Sequence, residues 1–394
     1  MPVLTRTFYL FTGFHSFLLG LLPLFIPIIL WDKGLTLSEI SYFIAFTSVG
    51  FLIALYYWDR LRAAQYWAKI ISLSFIFQSL LVTLLVWDQQ IILVTVGALI
   101  NGAAGCFYWS TQRLLFQEIT ENNNTGNTFG NFQILVVVAL KVGVLVGSYL
   151  LGMEYFSALL ILSCLFSLFG FISIQKNLNT HLPQKLTYLS TQVPAFNLLQ
   201  ILQFKDNHKS KLIFIVDGLF LFLESYFWVL TIYLLTQENI MQLGLIIILL
   251  SVFLALIFFF IKKYIDRINN QIIYQIAVVG YAFSWFFRGE LSQAINQNIN
   301  DLILYSGLLL IAFLSNFFRL AFNKRFYDIA RQDQATRYIL CKSYYSQFML
   351  IIFFSIIAFF FAGLAQPLSQ LHILYWLCIP IALLYFFYGK NKRV

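Results

Sequence analysis

Charge is what this sequence has least of. Only 10% of its 394 residues are Asp, Glu, Lys or Arg, where soluble domains carry about 25%. A chain that is also 60% hydrophobic, with a mean hydropathy of +0.81, cannot clothe a globule in polar surface, and it reads as a membrane protein. Cysteines number four, Cys106, Cys164, Cys341 and Cys378, all inside or at the edge of apolar stretches. That placement implies neither a disulfide framework nor a metal cluster. No phosphate-cradling Gly-Lys loop is present, which argues against ATP as a driving force. Nor is there a nucleophile motif. The chain is therefore expected to have no catalytic residues, no metal and no cofactor. The apolar run from Phe8 past Leu30 has no small-residue cleavage site, so it is read as a first membrane helix rather than a removable signal.

What the chain does have is long apolar runs. Roughly 20 residues span the hydrocarbon core as a helix. Twelve such runs can be placed, at about 7–31, 40–58, 66–87, 91–116, 130–151, 155–174, 212–235, 242–261, 272–288, 302–323, 339–364 and 370–388. Their length and lack of alternating polarity favour helices over barrel strands. The expected fold is all-α, with twelve transmembrane helices in two six-helix bundles, 1–174 and 212–394. Between them lies the one long polar segment, 175–211.

The net charge of +9 would raise the question of nucleic acid, but the positions of the charges answer it. Of the 25 Lys and Arg, all but three fall on one face of the twelve-span arrangement; Lys33 and Arg288 fall on the other and Lys141 lies mid-span. By the positive-inside rule both termini and the linker are expected in the cytoplasm, with the chain in the cytoplasmic (inner) membrane. The basic excess is topology, and no nucleic-acid partner is expected. Within the linker, Phe196, Leu199, Leu202 and Phe204 fall near one helical face. That face would suit the inner leaflet; a loosely ordered tether is the alternative.

The two apolar halves echo each other. Asp59-Arg60 recurs as Asp266-Arg267, 207 residues on, and Gln112-Arg113-Leu114-Leu115-Phe116 recurs as Phe318-Arg319-Leu320-Ala321-Phe322, 206 residues on. Two landmarks with nearly one offset mark an internal repeat joined by a linker. The stretch Leu55-Tyr56-Tyr57-Trp58-Asp59-Arg60-Leu61-Arg62 between spans 2 and 3, and the small-residue stretch Gly102-Ala103-Ala104-Gly105 in span 4, resemble the signatures of the major facilitator superfamily. The likeness covers nearly the whole chain. It departs in the missing glycines around Asp59-Arg60. Ala98 stands where the family's drug antiporters carry Arg, and span 5 has Gly143, Gly147 and Gly152 without the antiporters' Gly-Pro pair. The resemblance implies two bundles rocking about a central site lined by spans 1, 4, 7 and 10. Asp59, Arg60, Asp266 and Arg267 would then be gating residues; solvated turns are the bland alternative. Glycines at 143, 147 and 152 permit close helix contact in either case.

The informative residues are charges inside spans, each of which costs at least about 2.5–3.5 kcal/mol at a helix centre. Lys141 lies near the middle of span 5 and Glu224 near the middle of span 7, with Asp217 seven residues earlier on the same face. Arg113 and Arg319 lie in the last turns of spans 4 and 10, where snorkelling to the interface is the competing explanation. Matched depth makes two candidate pairs, Asp217 with Arg319 and Glu224 with Lys141. His15, Asn101, Gln112, Tyr226, Trp228 and Asn316 are candidate substrate contacts by analogy with the family.

Three functions compete. The first is a secondary transporter for a small organic anion or zwitterion (a carboxylate, an amino acid or a carboxylate siderophore), with Lys141, Arg113 and Arg319 facing the substrate and Glu224 or Asp217 carrying a proton. The second is efflux of lipophilic cations, with Glu224 as counter-ion. The third is a non-transporting receptor, which needs neither buried charge nor repeat. The expected partners are a small-molecule substrate, protons and membrane lipids, and the chain is expected to act as a monomer.

Overall fold

The structure, a computed structural model, describes residues 3–86, 92–119, 125–181, 194–265, 270–295, 300–332, 335–364 and 368–389. Every regular element among them is helical. Its contacts divide the chain into two compact units, Met1–Gln203 with Gln347–Phe359, and Phe204–Ser346 with Phe360–Val394.

The first unit opens with α1 (Val3–Leu21) and α2 (Ile26–Asp32). A 3₁₀ turn at Pro23–Phe25 joins them, and Pro27 sits in the first turn of α2, where a missing N–H breaks no helical bond. The span Thr5–Asp32 therefore bends without ending. Then come α3 (Leu37–Ala63), α4 (Trp67–Val86), α5 (Ala98–Ile119), α6 (Thr125–Gly152), α7 (Phe156–His181) and the short α8 (Leu198–Leu202). Thr36 and Glu39 form a capping box that fixes the start of α3, satisfying two otherwise orphaned N–H groups. A π-helical turn, Leu93–Gly97, precedes α5.

Close backbone approach organises this unit. A Cβ at Gly102 would run into the Thr47 carbonyl oxygen, which seats α5 against α3, and one at Gly143 would run into the Phe17 carbonyl oxygen, which seats α6 against α1. Small residues let membrane helices approach this way without help from a hydrophobic driving force.

The second unit contains α9 (Ser210–Phe222), α10 (Trp228–Leu235), α11 (Ile240–Ile265), α12 (Asn270–Gln293), α13 (Asp301–Gln332), the first part of α14 (Ala335–Ala362) and α15 (Leu371–Leu383). A second π turn, Leu223–Phe227, links α9 to α10, and the 3₁₀ turn Leu384–Phe387 follows α15. α12 packs on both α13 and α15.

Eleven helical segments among the described residues are long and apolar enough to cross a membrane. The exception among the twelve expected is α12. Its 24 residues are long enough, but Gln271, Gln275, Arg288 and Glu290 make it too polar to stand out by composition. The linker also differs from expectation. α7 runs into it as far as His181 and α9 begins at Ser210. Leu199 and Leu202 of α8 are exposed, but Phe204, expected on the same face, is buried against Phe214 and Tyr338 of the second unit.

Candidate functional site: an ion cluster inside the second unit

Five charged side chains meet inside the helices of the second unit. Asp217, one turn and a half before the end of α9, is fully buried. Its Oδ1 accepts from Arg319 Nη1 of α13 at 2.8 Å and from the Tyr385 hydroxyl at 2.7 Å. Its Oδ2 lies 2.8 Å from Lys342 Nζ of α14. Glu224 stands on the π turn that follows α9. Arg319 Nη2 reaches its Oε2 at 3.2 Å, the Tyr281 hydroxyl donates to its Oε1 at 2.8 Å, and Arg288 Nη2 lies 3.5 Å from the same oxygen. Arg319 therefore bridges both acids from one planar fork, a geometry that an ammonium cannot reproduce.

The surroundings explain how these charges persist at such depth. Burying an ion is tolerated when it is paired, and both arginines of the cluster are paired through their Nη atoms, while the Nε of each is buried without a hydrogen-bond partner among the described residues. Arg288 donates to Ser284 at 2.8 Å and to Ser315 at 2.9 Å. Its guanidinium lies 4.4 Å from the centroid of Trp285 and 5.3 Å from that of Trp228. Tyr281 stacks on Phe318 at 4.1 Å, so the ring that orients Glu224 is itself held.

The cluster is closed on one side and open on the other. Side-chain exposure is 0% for Asp217, 2% for Arg288 and 9% for Lys342, but 17% for Arg319 and 19% for Glu224. The accessible edge is thus the Arg319–Glu224 contact. Three cations face two carboxylates, which leaves the cluster with one net positive charge. The π turn places Glu224 there by adding a residue to the helical turn, a feature that recurs at functional sites.

Of the expected pairs, Asp217 with Arg319 forms. Glu224 with Lys141 does not: the cations at Glu224 are Arg319 and Arg288, and Lys141 belongs to the first unit. Among the described residues Lys141, half-buried on α6, and Arg113, half-buried on α5, make no ion pair. Trp228 contributes its face to Arg288, and Tyr226 is buried against Phe222. Asn316 is exposed and donates to the Ala312 carbonyl of its own helix. In the first unit, His15 is buried with Nε2 3.0 Å from the Ser74 hydroxyl and its ring stacked on Phe75 at 4.2 Å. Asn101 donates to Thr47 at 3.3 Å, and Gln112 is buried on α5.

At the end of α3 an ion pair joins two residues one turn apart. Asp59 Oδ1 pairs with Arg62 at 2.7 Å, one turn on, while Arg60 lies over the Tyr56 ring at 3.9 Å. A residue three positions on can face back along a helix, and the next residue cannot. Both partners are buried and both reach the linker: Phe196 N–H donates to Asp59 Oδ2 at 2.7 Å, and Arg62 Nη2 donates to the Pro194 carbonyl at 3.3 Å. Asp266 and Arg267 lie outside the described residues.

Sequence reasoning missed four members of the cluster. Arg288 closes the expected span 272–288 and falls on an outer face by charge counting, yet it is buried; Ser284, one turn before it, is the available signal. Lys342 was counted with the cytoplasmic charges although it falls inside the predicted span 339–364. Nothing in the sequence separates Tyr281 and Tyr385 from the other tyrosines.

No family model and no curated protein matches the chain by sequence. Solved structures do match over its whole length. One is the nucleoside transporter NupG, at 12% identity and a TM-score of 0.67, with 98% of each chain covered. Another is a D-xylose-proton symporter, at 11% identity and a TM-score of 0.64, covering 99% of this chain and 97% of that one. At such identity the likeness concerns the fold alone: the chain is a multi-pass helical membrane protein that shares the fold of these two solved structures.

Proposed function

We propose that the protein is a secondary active transporter for a small organic anion or zwitterion, coupled to protons, with both termini and the linker in the cytoplasm. The proposed mode is alternating access, with two six-helix bundles, 1–174 and 212–394. The observation that carries this reading is the accessible Arg319–Glu224 contact beside a buried Asp217. A substrate carboxylate that reaches Arg319 competes with Glu224 for the guanidinium. Glu224, released from Arg319, is the proposed proton carrier, and departure of the substrate lets the pair re-form. Asp217, held by Lys342, Arg319 and Tyr385, keeps Arg319 in place and is the second acid on the path. Lys141 and Arg113 are further cations for the substrate in the first unit, and Asp59 with its partner Arg62 belongs to the gate. Uptake into proteoliposomes, measured for a panel of anions, zwitterions, sugars and nucleosides with and without a pH gradient, tests the proposal.

A second reading is a neutral polyhydroxylated substrate. It is favoured by the names of the similar structures, a nucleoside transporter and a D-xylose-proton symporter, and by the pairing of every charge in the cluster. The cluster would then serve the proton alone, and the same panel separates the two readings. Efflux of lipophilic cations fits less well, because Glu224 already faces two guanidinium groups.

A further inference from the structure

A cleft of about 510 Å³ runs along the outside of the first unit, between α3, α4 and α5. Gly50, Ala54 and Tyr57 of α3, Leu73 and Phe77 of α4, and Ala103 of α5 line it, and its wall is apolar. All three helices contribute to candidate membrane spans, so the cleft lies at bilayer depth. Ile53 and Tyr57 on its margin are 54% and 58% exposed, which opens it towards the surrounding lipid.

The cleft has a charged end. Three residues beyond Tyr57 on α3 comes Arg60, and four residues before Leu73 on α4 comes Lys69. Helical spacing puts Lys69 one turn, about 5 Å, beyond Leu73 and near the same face of α4, and Arg60 stands next to Leu61, the last lining residue of α3. Both cations are exposed, and each rests on a neighbouring aromatic ring, Arg60 on Tyr56 at 3.9 Å and Lys69 on Tyr66 at 4.4 Å. Among the described residues neither has an ion-pair partner. The nearest carboxylate in sequence, Asp59, is buried and committed to Arg62 and the linker.

We propose that this cleft is a binding site for an anionic phospholipid. One acyl chain fills the apolar channel, and the phosphate sits between Arg60 and Lys69. Each part meets its match: the channel would otherwise leave apolar wall poorly packed, and the two unpaired cations lie where a head group anchored in that channel must emerge. This assignment needs only that the chain spans a membrane, and it stands apart from the proposed transport cycle.

The test is native mass spectrometry of the full chain in mild detergent, with dioleoylphosphatidylglycerol or dioleoylphosphatidylcholine added. The wild type should retain the anionic lipid in preference to the zwitterionic one. Each of R60A and K69A should reduce that preference about fivefold, as expected for one basic residue at a lipid surface, and the double variant should abolish it. A photoactivatable phosphatidylglycerol added to the wild type should crosslink to peptides spanning residues 50–61 and 69–77. Equal retention of the two lipids by the wild type, an undiminished preference in the double variant, or crosslinks confined to other helices would each overturn the assignment.

Discussion

Asp217 and Arg319, 102 residues apart, meet at 2.8 Å within the membrane-spanning part of the second unit. The same guanidinium reaches Glu224 at 3.2 Å. One cation shared by a buried acid and an accessible acid separates their roles: the first fixes the guanidinium, and the second can let go of it.

Stability should follow that division. Asp217→Asn leaves Lys342 and part of Arg319 without a counter-ion in a fully buried place, an error worth about 3–5 kcal/mol. Glu224→Gln keeps a hydrogen-bonding side chain at an accessible edge and should lose much less. Thermal unfolding of the purified variants should therefore rank Asp217→Asn far below Glu224→Gln. Equal melting temperatures would mean that Asp217 is not the anchor.

Arg319→Lys should behave as a loss of function rather than a conservative change. A single ammonium cannot hold Asp217 Oδ1 and Glu224 Oε2 at once. Transport should fall by an order of magnitude or more while the protein still folds. Near-normal transport would show that the bridge is dispensable.

The pair at the end of α3 predicts a separable phenotype. Asp59→Asn weakens a charge-assisted bond to the Phe196 amide. Hydrogen exchange in 194–203 should rise, and the transport rate should change more than substrate affinity, because the site acts on conformation. Arg60→Ala should leave that exchange unchanged. Unaltered exchange in Asp59→Asn would remove the linker from the account.

Two glycines of one small-residue stretch should differ. A Cβ at Gly102 would strike the Thr47 carbonyl, whereas one at Gly105 would meet only side-chain atoms at 3.8 and 3.9 Å. Gly102→Ala should destabilise by about 1–3 kcal/mol; Gly105→Ala should be neutral or gain up to about 1 kcal/mol from helix propensity. Thermal unfolding of both variants decides the matter.

These cases also mark how far the sequence carries. Apolar runs of spanning length made the helices legible, and the scarcity of charge made Asp217, Glu224 and Arg319 visible as residues needing a reason. Pairing was harder, because depth along a helix says nothing about which helix lies opposite. Glu224 was thus matched with Lys141 when its cations come from α12 and α13. Arg288 and Lys342 were hidden by their position near span ends, where a charge ordinarily snorkels. That Asp59 pairs with Arg62, one turn on, was not legible in the stretch 55–62, because sequence adjacency shows Arg60 first. The hydroxyls of Tyr281 and Tyr385 became visible only once the rings around them were placed.

The most direct test of the coupling mechanism is Glu224→Gln in proteoliposomes, with accumulation under a pH gradient and exchange at equilibrium measured on one preparation. Exchange should persist near the wild-type rate while gradient-driven accumulation disappears. Normal accumulation by Glu224→Gln would contradict it and leave Glu224 as a structural hydrogen-bonding residue.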